Sequence, residues 1–377
     1  MATNNNDKTL NVPPLRFPEF TGEWQKYSLG EIGETIIGLT YKPSDVVENN
    51  GTIVFRSSNI KNGEIDYSDL VRVNKPIKDR IITTENDILV CARNGSQRLI
   101  GKNAIIKKED ANNTFGAFMM VYRSNENSFI RPLLSTKRYF SQVGENLGAR
   151  INQITTSDFN GFEFYFPDNH IERTKIAKLF RLIDERIVSQ NKIIEKLESL
   201  IRGLCLKLVS QGIPNTTLNT CLECHSSILQ EKSVTTDGKY PVYGGAGICG
   251  YSDTPEASGD SILIIKDGAS VGATFYVSGK YSAIGTLNRL TARPGCSLRY
   301  LYYCLKIFDF SQYKTGQAIP HIYFRDYGIA KIWCPSLAQQ EHIAGILTSI
   351  DTKIQMERSL LEHLTIQKRF LLRNMFI

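Results

Sequence analysis

No stretch of this chain approaches the roughly 18–20 consecutive apolar residues that cross a bilayer, which excludes a membrane-spanning helix and leaves no membrane partner. The sequence also lacks the Gly-x-x-x-x-Gly-Lys-Ser/Thr loop of P-loop NTPases, the His-Glu-x-x-His of zinc proteases and the Gly-x-Ser-x-Gly elbow of hydrolases. No Asn/Asp-Pro-Pro-Tyr/Phe site is present, which removes the reading of a stand-alone methyltransferase. The five histidines, His170, His225, His321, His342 and His363, form no ligand-spaced pair, and no general acid–base constellation assembles around them. A strong excess of one charge is missing as well. Lys and Arg number 45 against 38 Asp and Glu, and the largest local surplus is 9 against 5, in residues 169–211. Such a balance permits nucleic acid as a partner without demanding it. Met1 to Lys8 is Asn-rich and holds no apolar stretch, so no signal peptide is expected. The chain is then expected in the cytoplasm, with its 8 cysteines kept as thiols.

What is present is an ordinary globular composition, 41% hydrophobic and 22% charged, in a chain of 377 residues, longer than one core usually holds. Two domains or a repeat are expected, and a repeat is found. Apolar residues fall at Ile176, Phe180, Ile183, Ile187, Ile194, Leu197, Ile201, Leu204 and Leu208, with polar Gln190 in the slot after Ile187. The steps alternate four and three, the mark of a helix packed lengthwise on another helix. The series returns 167 residues later at Ile343, Leu347, Ile350, Ile354, Leu361, Leu364, Leu371 and Met375. Polar Glu357 then matches Gln190, Lys368 matches Ile201, and Asp351 matches Asp184. Upstream, Gly148-Ala-Arg-Ile-Asn-Gln-Ile154 aligns with Gly316-Gln-Ala-Ile-Pro-His-Ile322, and Phe164-Tyr-Phe-Pro167 with Ile332-Trp-Cys-Pro335. Further back, Asp87 to Gly95 resembles Ser261 to Gly268, a short apolar strand running into a polar Gly turn. The chain is a tandem duplication of globule and long helix.

The globules show short β-like runs between Gly, Asn and Asp turns: Thr52–Phe55, Ile88–Cys91, Lys102–Ile106, Val242–Tyr243, Ile262–Ile265 and Ala273–Val277. Each also carries one expected helix, near Pro132–Val143 and Leu298–Phe308. The expected fold is α+β: two mixed, mostly antiparallel globular domains related by a pseudo-twofold and separated by two long antiparallel coiled-coil helices. The boundaries read as a tail (1–13), a first domain (14–168), a central helix (169–211), a second domain (212–335) and a C-terminal helix (336–377). From Ile176 to Leu208 a helix runs about 50 Å, equal to about 15 base-pair steps, so the helices are expected to act as a ruler between two reading heads.

Two strings invite cofactor readings and fail. Cys221-Leu-Glu-Cys224-His225 matches the haem-attachment string, which needs export; a zinc site needs a second Cys pair, and Cys249, Cys296, Cys304 and Cys334 are scattered singly. These read as thiols, with no metal expected. Gly245-Ala-Gly-Ile-Cys-Gly250 satisfies the dinucleotide spacing, but Tyr-Ser-Asp-Thr-Pro255 follows, a turn in place of the helix that would receive a pyrophosphate.

Donor-rich polar loops remain. In the first globule they hold Arg93, Asn94, Ser96, Gln97, Arg98 and Lys102, with Arg150, Asn152 and Gln153. In the second they hold Lys266, Ser270, Lys314, Gln317, His321, Tyr323 and Arg325. Arg reaches guanine edges, Asn and Gln reach adenine edges, and Lys and Ser meet phosphates. One such loop alone is an ordinary solvated turn. Matching places in both copies favour double-stranded DNA as the partner.

The combination resembles the specificity subunit of Type I restriction–modification systems over nearly the whole chain. The likeness rests on Pro14-Leu-Arg-Phe-Pro-Glu-Phe20 with Trp24 and Leu29-Gly-Glu-Ile32, and on the junction Pro335-Ser-Leu-Ala-Gln-Gln-Glu-His-Ile-Ala344. It extends to the helix endings Gly203 to Leu208 and Phe370 to Phe376, where Phe370 replaces the family's usual Gly. The resemblance implies two target-recognition domains, each reading half of a split DNA site, and helices that set the gap and dock two modification subunits. Those partners would hold S-adenosylmethionine and methylate a flipped adenine. Two restriction subunits would bring ATP- and Mg-dependent translocation and cleavage, leaving this chain non-catalytic and without cofactor. The other class kept open is a coiled-coil interaction protein whose globular heads bind protein ligands.

Overall fold

The computed structural model describes residues 10–147 and 152–377. Why the fold forms is clearest at Ile88–Cys91, a strand apolar at every position and buried throughout. Successive strand side chains point to opposite faces, so a continuous apolar run requires a core on each side. Ile88 and Val90 enter a core with Trp24, Phe129 and Phe180, whereas Leu89 and Cys91 enter a second with Phe55 and Phe115. Ser261–Ile265 repeats the arrangement: Ile262 and Ile264 join Tyr300 and Leu347, and Leu263 and Ile265 join Val242 and Tyr281.

The chain divides into two compact units, Met1–Ser189 with Leu361–Ile377, and Gln190–Leu360. In the first, an antiparallel sheet runs in the order Glu34–Ile37, Met119–Arg123, Ile88–Cys91, Asn103–Ile105. In the second, the same order is built from Leu222–Ser226, Leu287–Ala292, Ser261–Ile265 and Thr274–Val277. Each unit adds a second four-stranded sheet with one parallel pair, Thr114–Phe115 on Thr52–Phe55 and Tyr240–Gly244 on Lys280–Ala283. A short antiparallel pair closes each, Gln25–Ser28 on Glu163–Phe166 and Thr216–Thr217 on Lys331–Ile332.

Most short elements lie where the sequence puts them, and one does not. The helix expected over Pro132–Val143 is two helices, Asn127–Leu133 and Lys137–Leu147. Pro132 sits inside the first and cannot donate to the preceding turn, so that helix stops one residue later. The Thr136 hydroxyl then donates to the Leu133 carbonyl (2.7 Å) across the break. The Gly-rich string is a hairpin, with Tyr240–Gly244 pairing antiparallel to Gly247–Ser252, so Tyr251 and Ser252 continue a strand before the turn at Pro255.

The two heptad segments are single helices, His170–Val209 of 40 residues and Leu337–Asn374 of 38. In the first unit the beginning of the central helix, Ile176 and Phe180, packs with the end of the C-terminal helix, Met375 and Phe376, and the rings of Phe180 and Phe376 stack at 5.5 Å. In the second unit the end of the central helix, Ile201 and Cys205, packs with the beginning of the other, Ile343 and Leu347. Head-to-tail contact in each unit makes the pair antiparallel. The seventeen heptad positions, Ile183, Ile187, Ile194, Leu197, Leu204, Leu208, Ile350, Ile354, Leu361, Leu364 and Leu371 among them, are buried or half-buried without exception. Among the described residues, no helix is long and apolar enough to cross a membrane.

Charged residues fix this packing. Glu172, in the first turn of the central helix and wholly buried, takes a two-pronged contact from Arg16 (2.7 and 2.8 Å), which ties the Pro14–Phe20 segment down. Asp184 accepts Arg131 at 3.5 Å, and its repeat counterpart Asp351 accepts Lys306 at 3.1 Å, so each globule's helix is pinned at the same place. The polar slot is self-paired. The Gln190 amide donates to the Glu357 carbonyl (3.1 Å) and to its carboxylate, which also binds Lys353. Both residues are buried, at 2% and 8% exposure, so neither amide nor carboxylate falls back on bulk water. Removing one partner leaves a buried polar group unmatched, and Glu357→Ala is expected to cost about 1–3 kcal/mol of stability. Replacing both, Gln190→Leu with Glu357→Leu, should recover most of that loss, as read by denaturant unfolding of the two variants. A double variant no more stable than Glu357→Ala would deny the pair this role.

Candidate nucleic-acid interface

The donor-rich loops are held by backbone bonds that recur in both units. In the first, Ile154 N–H donates to the Ala92 carbonyl (2.9 Å), Asn94 N–H to the Asn152 carbonyl (3.3 Å), and Arg93 bridges Gln153. In the second, Ile322 N–H donates to the Lys266 carbonyl (2.9 Å), Gly268 N–H to the Pro320 carbonyl (2.9 Å), and Asp267 bridges His321. Segments about 60 residues apart in sequence thus meet, at positions related by the duplication. This pattern sets Lys266 against Ala92 and Asp267 against Arg93. The bonds that close each turn, Gly101 N–H to Cys91 (2.9 Å) and Gly272 N–H to Ile265 (2.8 Å), show the first loop to be three residues longer.

Within the first loop the candidates divide by role. The Asn94 side chain shapes the turn: its oxygen takes the Ser96 N–H (3.0 Å) and its amide donates to the Ser57 hydroxyl (2.9 Å). The Asn152 amide donates to the Gly95 carbonyl (3.1 Å), and its φ of 54° is the left-handed conformation that Asn tolerates. These two were expected to reach bases, and their side chains are engaged with the loop itself. Arg93, Ser96, Gln97 and Arg98 are exposed, and Gln153 and Lys102 are half-buried; Lys102 gives its carbonyl to Cys91 N–H (2.8 Å). Arg150 lies outside the described residues.

In the second unit Thr315 and His321 exchange two backbone bonds of 2.9 Å each, folding a short hairpin. Gly316 turns it at φ +87°, and a Cβ there would meet the Ile319 carbonyl at 2.4 Å, so only glycine serves. Lys314 and Gln317 stand exposed on that hairpin, and Ser270 is exposed on the turn after Lys266. The His321 ring meets Tyr323 edge-on at 5.2 Å, and the Arg325 guanidinium lies 4.9 Å from the Tyr323 ring centre. Such an exposed ring and cation offer a stacking face beside hydrogen-bond donors.

Two features escaped the sequence. Phe118, 60% exposed, lies under the Arg93 guanidinium at 5.2 Å, and its carbonyl takes Arg93 N–H at 3.0 Å. A lone Phe gives no periodic signal, so only the tertiary fold finds it. The cysteines scattered in sequence are not scattered in space: the sulfurs of Cys221, Cys296 and Cys334 all lie within 4.8 Å of one another. Cys224, the other cysteine of the Cys221–His225 string, is not one of the three, and burial pushes its thiol up to about 11. Elsewhere, Asp66 is held at about 2 by hydrogen bonds from Ser68 and Lys61, and burial lifts the Cys91 thiol to about 11. Both shifts run opposite to a general acid or an activated nucleophile.

A family model described as the Type I restriction modification DNA specificity domain matches residues 21–199 and 223–365. The chain is 28% identical over 194 residues to the EcoKI specificity subunit of Escherichia coli K12, covering 48% of this chain and 42% of that one. It is 22% identical over 213 residues to the StySPI specificity subunit of Salmonella potsdam, covering 54% and 46%. Each of these matches spans less than half of the relative's own length. A crystal structure of the Type I restriction–modification S subunit from Mycoplasma genitalium superposes at a TM-score of 0.71 with 20% identity, covering 97% of this chain and 99% of that one. Duplicated sheets, antiparallel helices and a family match over most of the chain agree: it belongs to the Type I restriction modification DNA specificity domain family.

Proposed function

We propose that this chain is the DNA-recognition subunit of a Type I restriction–modification complex, each unit reading one half of a split site in double-stranded DNA. The observation that carries it is the loop frame, closed by corresponding backbone bonds in the two units yet furnished with different side chains. Arg93, Gln97, Arg98 and Gln153 occupy one frame, and Lys266, Ser270, Lys314, Gln317, His321, Tyr323 and Arg325 the other. Two frames with unlike donors suit two unlike half-sites. The long helices would set the gap and dock two modification subunits that carry S-adenosylmethionine. Two restriction subunits would supply the ATP- and Mg-dependent steps. This chain binds no cofactor in that scheme and works in the cytoplasm.

Selection of binding sites from a randomised DNA library tests the reading. Arg93→Ala is expected to relax one half-site by about 5–150-fold, the worth of one base contact, and leave the other unchanged. Equal loss in both halves would reassign Arg93 to phosphate. Binding should also fall steeply with salt, with a log–log slope proportional to the phosphates neutralised; a folded complex with a flat slope would favour protein ligands over DNA. One heptad inserted in each long helix, beside Gln190 and Glu357, should lengthen the preferred gap by about 3 base pairs. An unchanged gap preference in the folded insertion variant sinks the ruler.

A further inference from the structure

The three converging thiols of the second unit have no part in that reading. Cys221 ends the short helix Leu218–Cys221, Cys296 precedes the Ser297 cap of helix Leu298–Ile307, and Cys334 precedes Pro335 and the C-terminal helix. The backbone holds all three segments together. Arg293 N–H donates to the Cys221 carbonyl (2.8 Å) and Cys296 N–H to the Arg293 carbonyl (3.1 Å). Asn215 clasps the Cys334 peptide from both sides, accepting its N–H (2.8 Å) and donating to its carbonyl (2.9 Å). The buried Gln340 side chain takes Ser297 N–H (2.8 Å) and donates to the Pro335 carbonyl (2.8 Å), which ties two helix starts to each other.

Comparison of the two copies sharpens the point. Leu29 and Leu218 donate equivalent bonds, to Phe162 and Ala330, which sets Cys221 against Ile32; the Pro167 and Pro335 junctions set Cys334 against Phe166. Ile32 and Phe166 pack in the first unit's hydrophobic core. The second unit has sulfur where the first has a branched aliphatic and an aromatic ring.

We propose that Cys221, Cys296 and Cys334 bind one zinc ion as three thiolates, with a water in the fourth position. Zinc–sulfur bonds of about 2.3 Å in a tetrahedron place sulfurs about 3.8 Å apart, and Cys221 and Cys334 already stand at 4.0 Å. The complex carries one net negative charge. The positive ends of helices Leu298–Ile307 and Leu337–Asn374, which begin two and three residues after their cysteines, offset it. Burial first, and a neighbouring thiol second, hold all three groups above the ordinary thiol range. Binding therefore releases protons, and affinity falls as pH is lowered.

The test uses the full chain, reduced and chelator-stripped, titrated with cobalt and then with zinc. Expected are one cobalt per chain, thiolate-to-cobalt charge-transfer absorption with tetrahedral ligand-field bands, and displacement by one equivalent of zinc. Cys296→Ser and Cys334→Ser should weaken binding by more than about tenfold, since even outer partners of a metal are worth about 10–100-fold. Cys249→Ser, an exposed thiol away from the cluster, should leave it intact. Zinc should also shield Cys221, Cys296 and Cys334 together from alkylation in the unmodified chain, a readout that needs no variant to fold. A folded chain with no charge-transfer band and no joint shielding overturns the proposal, as does a Cys221–Cys334 disulfide that re-forms in the presence of zinc.

Discussion

Neither unit can complete its core without both long helices. The first unit's apolar interior needs Ile176 and Phe180 from one helix and Met375 and Phe376 from the other; the second needs Ile201 and Cys205 with Ile343 and Leu347. An amphipathic helix of 38–40 residues has an apolar stripe too long to bury against itself. Here the stripe is divided, each half serving a different globule. That division explains why the heptads run unbroken through the boundary at residue 190 and why a polar pair can be accommodated there. Gln190 and Glu357 satisfy each other, and a one-heptad slip would leave each facing a branched aliphatic. The pair contributes register more than stability, because an apolar replacement of both would pack as well.

The parts legible from sequence are those governed by short-range periodicity. The heptads follow from a 3.5-residue pattern and the strands Thr52–Phe55 and Ile88–Cys91 from short apolar runs bounded by turn residues, and the structure reproduces those two strands residue for residue. Pro132 misled because proline favours a helix start in isolation, whereas here buried Phe129 and Ile130 pull the preceding turn into the helix. The site was legible only as a set of loops. Asn94 and Asn152 look like base readers by residue type, yet Asn also stabilises turns and tolerates positive φ, and that use prevails at both positions. Phe118 and the three-thiol cluster carry no local signature at all. Cys221, Cys296 and Cys334 meet because strands and helix starts converge from distant sequence.

The repeated frame has a consequence for how specificity and stability separate. The loops are pinned by main-chain bonds and by a glycine at Gly316 that no other residue can replace, so their shape depends little on the exposed side chains they carry. Arg93, Gln97 and Arg98, or Lys314, Gln317 and Arg325, project from a backbone that their replacement would leave intact. Surface substitutions of this kind usually change stability by under about 0.5 kcal/mol, while one base contact is worth about 1–3 kcal/mol of discrimination. In the proposed reading, recognition would then change by about 5–150-fold per contact at almost no cost to folding. The same reasoning runs in reverse for Asn94, Asn152 and Gly316: replacing any of them should distort the loop and blur every contact it makes at once. In the proposed reading, selectivity in each unit would be carried by two kinds of residue, one that builds the platform and tolerates little, and one that reads from it and can vary freely.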